Sequence, residues 1–249
     1  MYQLLIRKTG LASFLIFIFI VCPSAFAEGI TREQGDAILK ELSEMRKLLE
    51  HINQKSLPQG RRAAPTTAKV PVKGGSVIGN VKAPLTLVEF TDYQCPYCER
   101  FYKQTFPQLK KKYIDTGKVQ LVIKDLPLNF HKQARKAAQA SRCAGEQGRF
   151  LEMHKLLLAN GKKLQESYLK GYAKQIQLNT KKFALCLSSG RHFKQIDQDT
   201  QQARNQGITG TPTFVLGKTT GGQVDGVRIV GAQPLSRFER QIDAMLKKK

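Results

Sequence analysis

Residues 85–98, "LTLVEFTDYQCPYC", run an apolar segment straight into two cysteines three positions apart. Few features restrict a fold as much. Leu85–Tyr93 is rich in Leu, Val, Phe, Thr and Tyr and reads as a buried strand. Beyond the cysteines, Tyr102, Phe106, Leu109 and Tyr113 recur at helical spacing, with Pro107 expected to kink the helix. The pair therefore stands at a strand-to-helix turn. Taken alone, a C-x-x-C fits a metal site, a loop staple or redox chemistry.

Position argues for redox chemistry. With Cys95 capping the helix and Pro96 in its first turn, the missing N–H of proline costs nothing. The Cys95 sulfur then faces unpaired backbone amides and the positive end of the helix dipole, which lowers its pKa below the free value of about 8.5. Cys98 lies on the same helical face and deeper, placed to resolve a mixed disulfide formed at Cys95. Zinc needs further ligands at suitable spacing. Cys143 and Cys186 are isolated, and His51, His131, His154 and His192 form no cluster. Neither a metal nor any other cofactor is expected, and the histidines read as structural or exposed.

The start of the chain reads as an address. Arg7 and Lys8 precede the apolar run Leu11–Cys22, shorter than the roughly 20 residues that span a bilayer, and Ala25-Phe26-Ala27 supplies a small-x-small cleavage pattern. An exported protein of periplasm or envelope, cleaved after Ala27, is expected rather than an uncleaved anchor. Cys22 leaves with that leader. The even set Cys95, Cys98, Cys143 and Cys186 remains, as suits an oxidising compartment. Cys143 and Cys186 fall on different predicted helices, and a structural staple between them is preferred to a second redox relay or to two free thiols.

The formal charge is +22, and losing Arg7 and Lys8 leaves +20. Such a charge attracts anionic surfaces without specificity. No nucleic-acid motif accompanies it, so a solvated basic surface is the simpler reading and no specific nucleic-acid partner is expected.

Residues 28–55 read as an amphipathic helix. Ile38, Leu42, Met45, Leu49 and Ile52 recur at 4-3-4-3 spacing, the seam of a coiled coil, and nothing adjacent in sequence covers that stripe. A homo-oligomer, a dimer before a trimer, is expected over a helix folded back on its own domain. Residues 56–75, rich in Pro, Gly, Ala and Thr, read as an extended linker, with the catalytic domain over 76–249 opening on a short strand at Ser76–Ile78. Val119–Lys124 is a second buried strand. Residues from about 131 to 206 carry only helical patterns, strands resume at Thr213–Leu216 and Val227–Val230, and a last amphipathic helix follows Pro234. In "GITGTPTFVLG" a proline opens a strand, which is odd unless Thr211-Pro212 is cis. That bond would turn the Thr211 backbone outward beside Cys95, where an extended substrate could pair with it.

From about Pro84 onward the chain resembles the DsbA-like periplasmic thiol-disulfide oxidoreductases. The residues that carry the resemblance are "VEFTDYQCPYC", "CAGEQGRF", "ALCLSSG" and "GTPTFVLG". The Pro96-Tyr97 dipeptide with Thr211 before the proline looks most like DsbG, while glutaredoxins, which share CPYC, are shorter and cytosolic. The resemblance implies an α/β, thioredoxin-like fold with an inserted helical subdomain, here preceded by the N-terminal helix. It places an acid, Glu89, beneath the active site and a lysine, Lys124, near it. A buried carboxyl of raised pKa there would accept the proton of Cys98 as it attacks; the plainer reading is that the two pair as strand-end ions. The N-terminal arm departs from the isomerases of the superfamily, which dimerise through a larger domain containing strands. A shorter-armed dimeric or trimeric relative fits better. Tyr97 carries no positive charge, so a milder oxidant than the histidine-bearing DsbA enzymes is expected.

The function expected is formation or isomerisation of disulfides in cysteine-containing envelope proteins, with a membrane oxidase or reductase as redox partner. The rival is a basic envelope chaperone or binding protein in which the C-x-x-C is incidental.

Overall fold

In the computed structural model the described residues are 31–56 and 66–247. The leader expected over 1–27 and residues 57–65 of the expected linker lie outside them. Among the described residues no helix is long and apolar enough to cross a membrane.

The chain divides into two units, and α1 (Arg32–Ser56) is the described part of the first. Thr31 and Gln34 cap it reciprocally, with Gln34 N–H donating to Thr31 Oγ1 at 3.2 Å and Thr31 N–H to Gln34 Oε1 at 3.0 Å. Ile38, Leu42, Met45 and Leu49 are exposed along it, and so are Leu39 and Leu48. At 1.5 Å per residue α1 runs about 37 Å.

The second unit is built on a sheet of order β1-β6-β5-β3-β4-β2. Its centre is β3 (Leu85–Thr91), parallel to β4 (Val119–Asp125) and antiparallel to β5 (Thr213–Thr220). Every residue of β3 and β4 is buried, as expected of a parallel pair covered on both faces. β6 (Gln223–Val230) extends the sheet beside β5, and β2 (Ser76–Ile78) pairs antiparallel with β4.

One strand stands where a linker was expected. Thr67–Pro71 forms β1 and pairs antiparallel with β6 from Thr67↔Val227 to Pro71↔Gln223. Only Ala68 and Val70 of its residues are buried, so two small side chains carry the whole inward face. That is too little apolar signal to stand out from Pro, Ala and Thr in sequence. Pro71 sits at its end, where a lost donor is tolerated.

The sheet separates two sets of side chains. Leu85, Leu87, Leu121, Ile123, Phe214 and Leu216 pack into the larger core with α2 (Pro96–Gln104) and α9 (Leu235–Lys247). Val88, Phe90, Val122 and Val215 form the smaller core on the other face, with Ala203 of α8 (Phe193–Asn205). The helix after the cysteines breaks at Thr105, two residues before Pro107: α3 (Phe106–Leu109) follows, and then a π-helical turn over Lys110–Ile114. Thr105 Oγ1 donates to Gln233 O at 2.9 Å, so the break is held from the far end of the domain.

Between β4 and β5 the described chain is helical: α4 (Ala134–Gly145), α5 (Phe150–Ala159), α6 (Glu166–Gln175), α7 (Thr180–Ser189) and α8. Cys143 of α4 and Cys186 of α7 are joined by a disulfide, their Cα atoms 5.8 Å apart.

Candidate active site

β3 delivers the chain to the site, and a short turn aims it. The carboxylate of Asp92, buried at the end of β3, accepts the N–H of Gln94 at 2.7 Å and of Leu128 at 2.7 Å, and sits 2.9 Å from His131 Nδ1. Cys95 N–H donates to Asp92 O at 3.2 Å. Asp92 thus ties the cysteine turn to the loop after β4. It is a positioning residue that the sequence reading passed over, although an Asp followed two residues later by a turn is the local signature of such a brace.

Cys95 occupies the N-cap of α2 with extended backbone (φ −77°, ψ 119°), and Pro96 follows in the first turn. The sulfur of Cys95 lies 3.2 Å from the carbonyl oxygen of Thr211, and the Thr211-Pro212 bond is cis. The pKa of Cys95 is lowered to about 6. The main cause is the hydrogen bond from the Cys98 thiol; the Thr211 hydroxyl and the N–H groups of Cys98 and Tyr97 add to it, against partial burial. The Thr211 hydroxyl has no other partner, so it is free to donate to the thiolate.

Cys98 is fully buried, and its pKa is pushed well up by burial first, then by the adjacent Cys95 sulfur and by Glu89. Neither sulfur is bonded. One thiol is acidic at the helix mouth and the other is neutral beneath it. Tyr97 is exposed and carries no charge of its own, yet the Arg100 guanidinium lies 4.9 Å from its ring centroid. A cation therefore does stand over the dipeptide, supplied from the next turn of α2.

Glu89 lies under this pair. It is fully buried on the sheet face shared with Leu87 and Phe214, and neither carboxyl oxygen has a hydrogen-bond partner. Burial pushes its pKa up to about 8, with the nearby Thr91 hydroxyl offsetting only a little. At neutral pH the group holds its proton.

Lys124 is not beside it. In the parallel pairing Glu89 stands opposite Ile123 and Phe90 opposite Lys124, so the two side chains emerge on opposite faces of the sheet. Lys124 Nζ is fully buried against α8, 2.8 Å from Asp199 Oδ1, and donates also to Lys73 O and Gln202 Oε1, each at 2.9 Å. Arg142 joins the same cluster, with Nη2 2.6 Å from Asp199 and Nε 2.6 Å from Asp125. Neither a proton relay nor an ion pair between Glu89 and Lys124 exists. The lysine instead bolts the helical insert to β4, through an Asp199 that sequence reading did not single out because its partner is distant in the chain.

The insert adds a further buried group near the turn. Tyr93 Oη lies 2.8 Å from His154 Nδ1 of α5, and burial lowers His154 to about 3, which keeps the ring neutral. Among the described residues the cluster with the composition of a metal site is Cys143, Cys186 and His192, and both of its sulfurs are committed to the disulfide.

Comparison with known proteins places the fold. A family model described as Thioredoxin matches residues 72–244. A Na(+)/H(+) antiporter NhaA of Salinispora tropica is 39% identical over 141 residues, covering 56% of this chain and 21% of the antiporter. A protein-disulfide oxidoreductase of Rickettsia typhi is 29% identical over 178 residues, covering 67% of this chain and 64% of that protein. The chain thus spans about a fifth of the antiporter and under two thirds of the Rickettsia relative. Among solved structures, Wolbachia pipientis alpha-DsbA1 aligns with a TM-score of 0.64 and 26% identity, over 72% of this chain and 94% of that one. Oxidised BdbD from Bacillus subtilis aligns with a TM-score of 0.63 and 26% identity, over 73% and 98%.

Proposed function

The chain belongs to the thioredoxin family, with the helix-inserted fold of the DsbA structures, and from that premise we propose that it is a thiol-disulfide oxidoreductase acting on the cysteines of exported proteins. One observation carries the reading: an acidic Cys95 stacked on a buried, neutral Cys98, with Thr211 against the outer sulfur.

In the oxidised state a client thiolate attacks Cys95 Sγ. The Cys95–Cys98 bond breaks, its electron pair goes to Cys98 Sγ, and a client–Cys95 mixed disulfide forms. Cys98 is too deeply buried to remain a thiolate, and the protonated Glu89 beneath it is the group in reach to supply a proton. A second client thiolate then attacks the client sulfur of the mixed disulfide, releasing Cys95. With a pKa near 6, Cys95 leaves as a thiolate that outnumbers its thiol about ten to one at pH 7. The client has lost two electrons and the protein has gained them. Attack of the Cys95 thiolate on a wrong client disulfide, followed by attack of a different client thiolate on the client sulfur of that mixed disulfide, releases Cys95 as a thiolate and isomerises the client with no net electron transfer.

A membrane oxidase or reductase would reset the dithiol, and export through the leader would bring the protein to an oxidising envelope. The exposed stripe of α1 is the surface for self-association into a dimer. The Cys143–Cys186 bond would serve as a structural staple of the insert. The test is trapping: Cys98→Ala should accumulate mixed disulfides with clients, and Cys95→Ala should accumulate none. Equal trapping by both variants, or none by either, overturns the assignment.

A further inference from the structure

Beside the active-site helix runs a groove that the exchange at Cys95 does not use. One half, of about 480 Å³, lies between α2–α3 and α5, on a floor that includes Tyr102, Phe106 and Leu158. The other, of about 540 Å³, continues past Ala159 to Gln94 and Pro96 at the mouth of the cysteine turn. Glu99 and Ala159 line both halves, so they form one path that ends next to Cys95. At that end the insert loop lies directly on the active-site loop: a Cβ on Gly161 would stand 2.9 Å from the Tyr93 carbonyl oxygen.

The rim of this path carries an excess of positive charge. Lys103 pairs with Glu99 at 2.5 Å, and Lys110 with Asp115 at 2.5 Å. Lys155, Lys162 and Lys163 are exposed on the α5 side, and among the described residues none has a carboxylate at ion-pair distance. Glu99 is the lone acid on either lining, and Lys103 already neutralises it. An aromatic and aliphatic floor under three uncompensated ammonium groups is complementary to a polypeptide with apolar side chains on one side and carboxylates on the other. A neutral or basic segment would bury the floor and leave the rim unanswered.

We propose that the groove between α2–α3 and α5 docks an acidic, amphipathic segment of the client polypeptide and hands its cysteine along α2 to Cys95. This rests on the oxidoreductase reading above and specifies which clients that activity prefers. The docking adds no electron step; it raises the local concentration of a thiolate at the sulfur. Exposed ion pairs are each worth about two- to threefold, so three of them give a preference of about tenfold. Because the lysines are exposed, salt should erase it.

The experiment uses the oxidised protein and two synthetic peptides with the same two cysteines and the same leucines. One peptide bears Glu and the other Gln at the remaining positions. At 50 mM salt the rate constant kcat/KM for oxidation of the Glu peptide should exceed that for the Gln peptide about tenfold. The combined Lys155→Gln, Lys162→Gln and Lys163→Gln variant should lose that preference, with the Glu-peptide rate falling to that of the Gln peptide. Equal rates for the two peptides overturn the docking site and leave the oxidoreductase reading intact. A preference that survives the triple variant, or lysine-dependent binding of anionic phospholipid vesicles without peptide discrimination, also overturns it. Failure of the wild type to oxidise either peptide removes the reading on which it rests.

Discussion

Glu89→Gln should make the protein more stable and slower. The carboxyl group is fully buried without a hydrogen-bond partner, and its pKa rises from 4.5 to about 8. Below pH 4.5 both folded and unfolded chains hold the proton, and the group costs nothing. As pH rises from there the unfolded chain ionises while the folded one does not, so stability falls by about 1.4 kcal/mol per pH unit until the folded pKa is passed. The full penalty is about 5 kcal/mol, and relaxation or water entry trims it to about 2–5 kcal/mol. Glutamine has no proton to lose. The variant should match the wild type at pH 4.5 and exceed it increasingly up to pH 8.5, where the gain corresponds to about 5–15 °C in Tm for a domain of this size.

Calorimetry across that range, on the oxidised protein so that neither active-site thiol titrates, measures the difference directly. The same substitution should slow the attack of a client thiolate on the Cys95–Cys98 disulfide at least about tenfold at pH 7, since the departing Cys98 sulfur loses its proton donor. A stability difference that is flat with pH would refute the buried-acid argument. A pH-dependent difference with an unchanged rate would leave Glu89 a structural burden without a catalytic role.

Thr211→Val removes the unpaired hydroxyl beside the Cys95 sulfur, so the thiolate loses one donor of about 1 kcal/mol. The Cys95 absorbance titration should move up by nearly one pH unit, and the reduction potential should fall by about 20 mV; an unmoved titration refutes the contact. Deleting residues 28–55 should convert a dimer to a monomer by light scattering and lower isomerase activity more than oxidase activity, because six exposed apolar residues of α1 lose their partner. A full-length monomer refutes that role.

How far each of these features could be read in advance depended on its range in the chain. The strand, the two cysteines, Pro96 and the helix are contiguous, and their roles follow from local rules: a proline tolerated in the first turn, amides left free at a helix start, two side chains one turn apart. The helical insert was equally plain because its apolar residues repeat at helical period for many turns. β1 was not plain, since Ala68 and Val70 are all it contributes inward, and it becomes a strand only when β6 offers an unpaired edge.

The linear sequence by itself determined that a redox-spaced cysteine pair opens a helix, that a helical insert separates the two halves of a sheet, and that an amphipathic arm precedes them. The tertiary structure alone decided what surrounds each group. Glu89 and Lys124 look alike as charges in apolar strands, yet one residue of register between β3 and β4 sends them to opposite faces. The carboxyl is then buried without a hydrogen-bond partner and keeps its proton, while the lysine meets Asp199 from α8 and becomes a tether. Part of the lowering at Cys95 has the same origin, because Thr211, in the loop before β5, reaches it from 116 positions away, while the larger part comes from the Cys98 thiol one turn along α2. Ionisation depends on burial and on nearby charge, and both are set by packing rather than by neighbours in sequence.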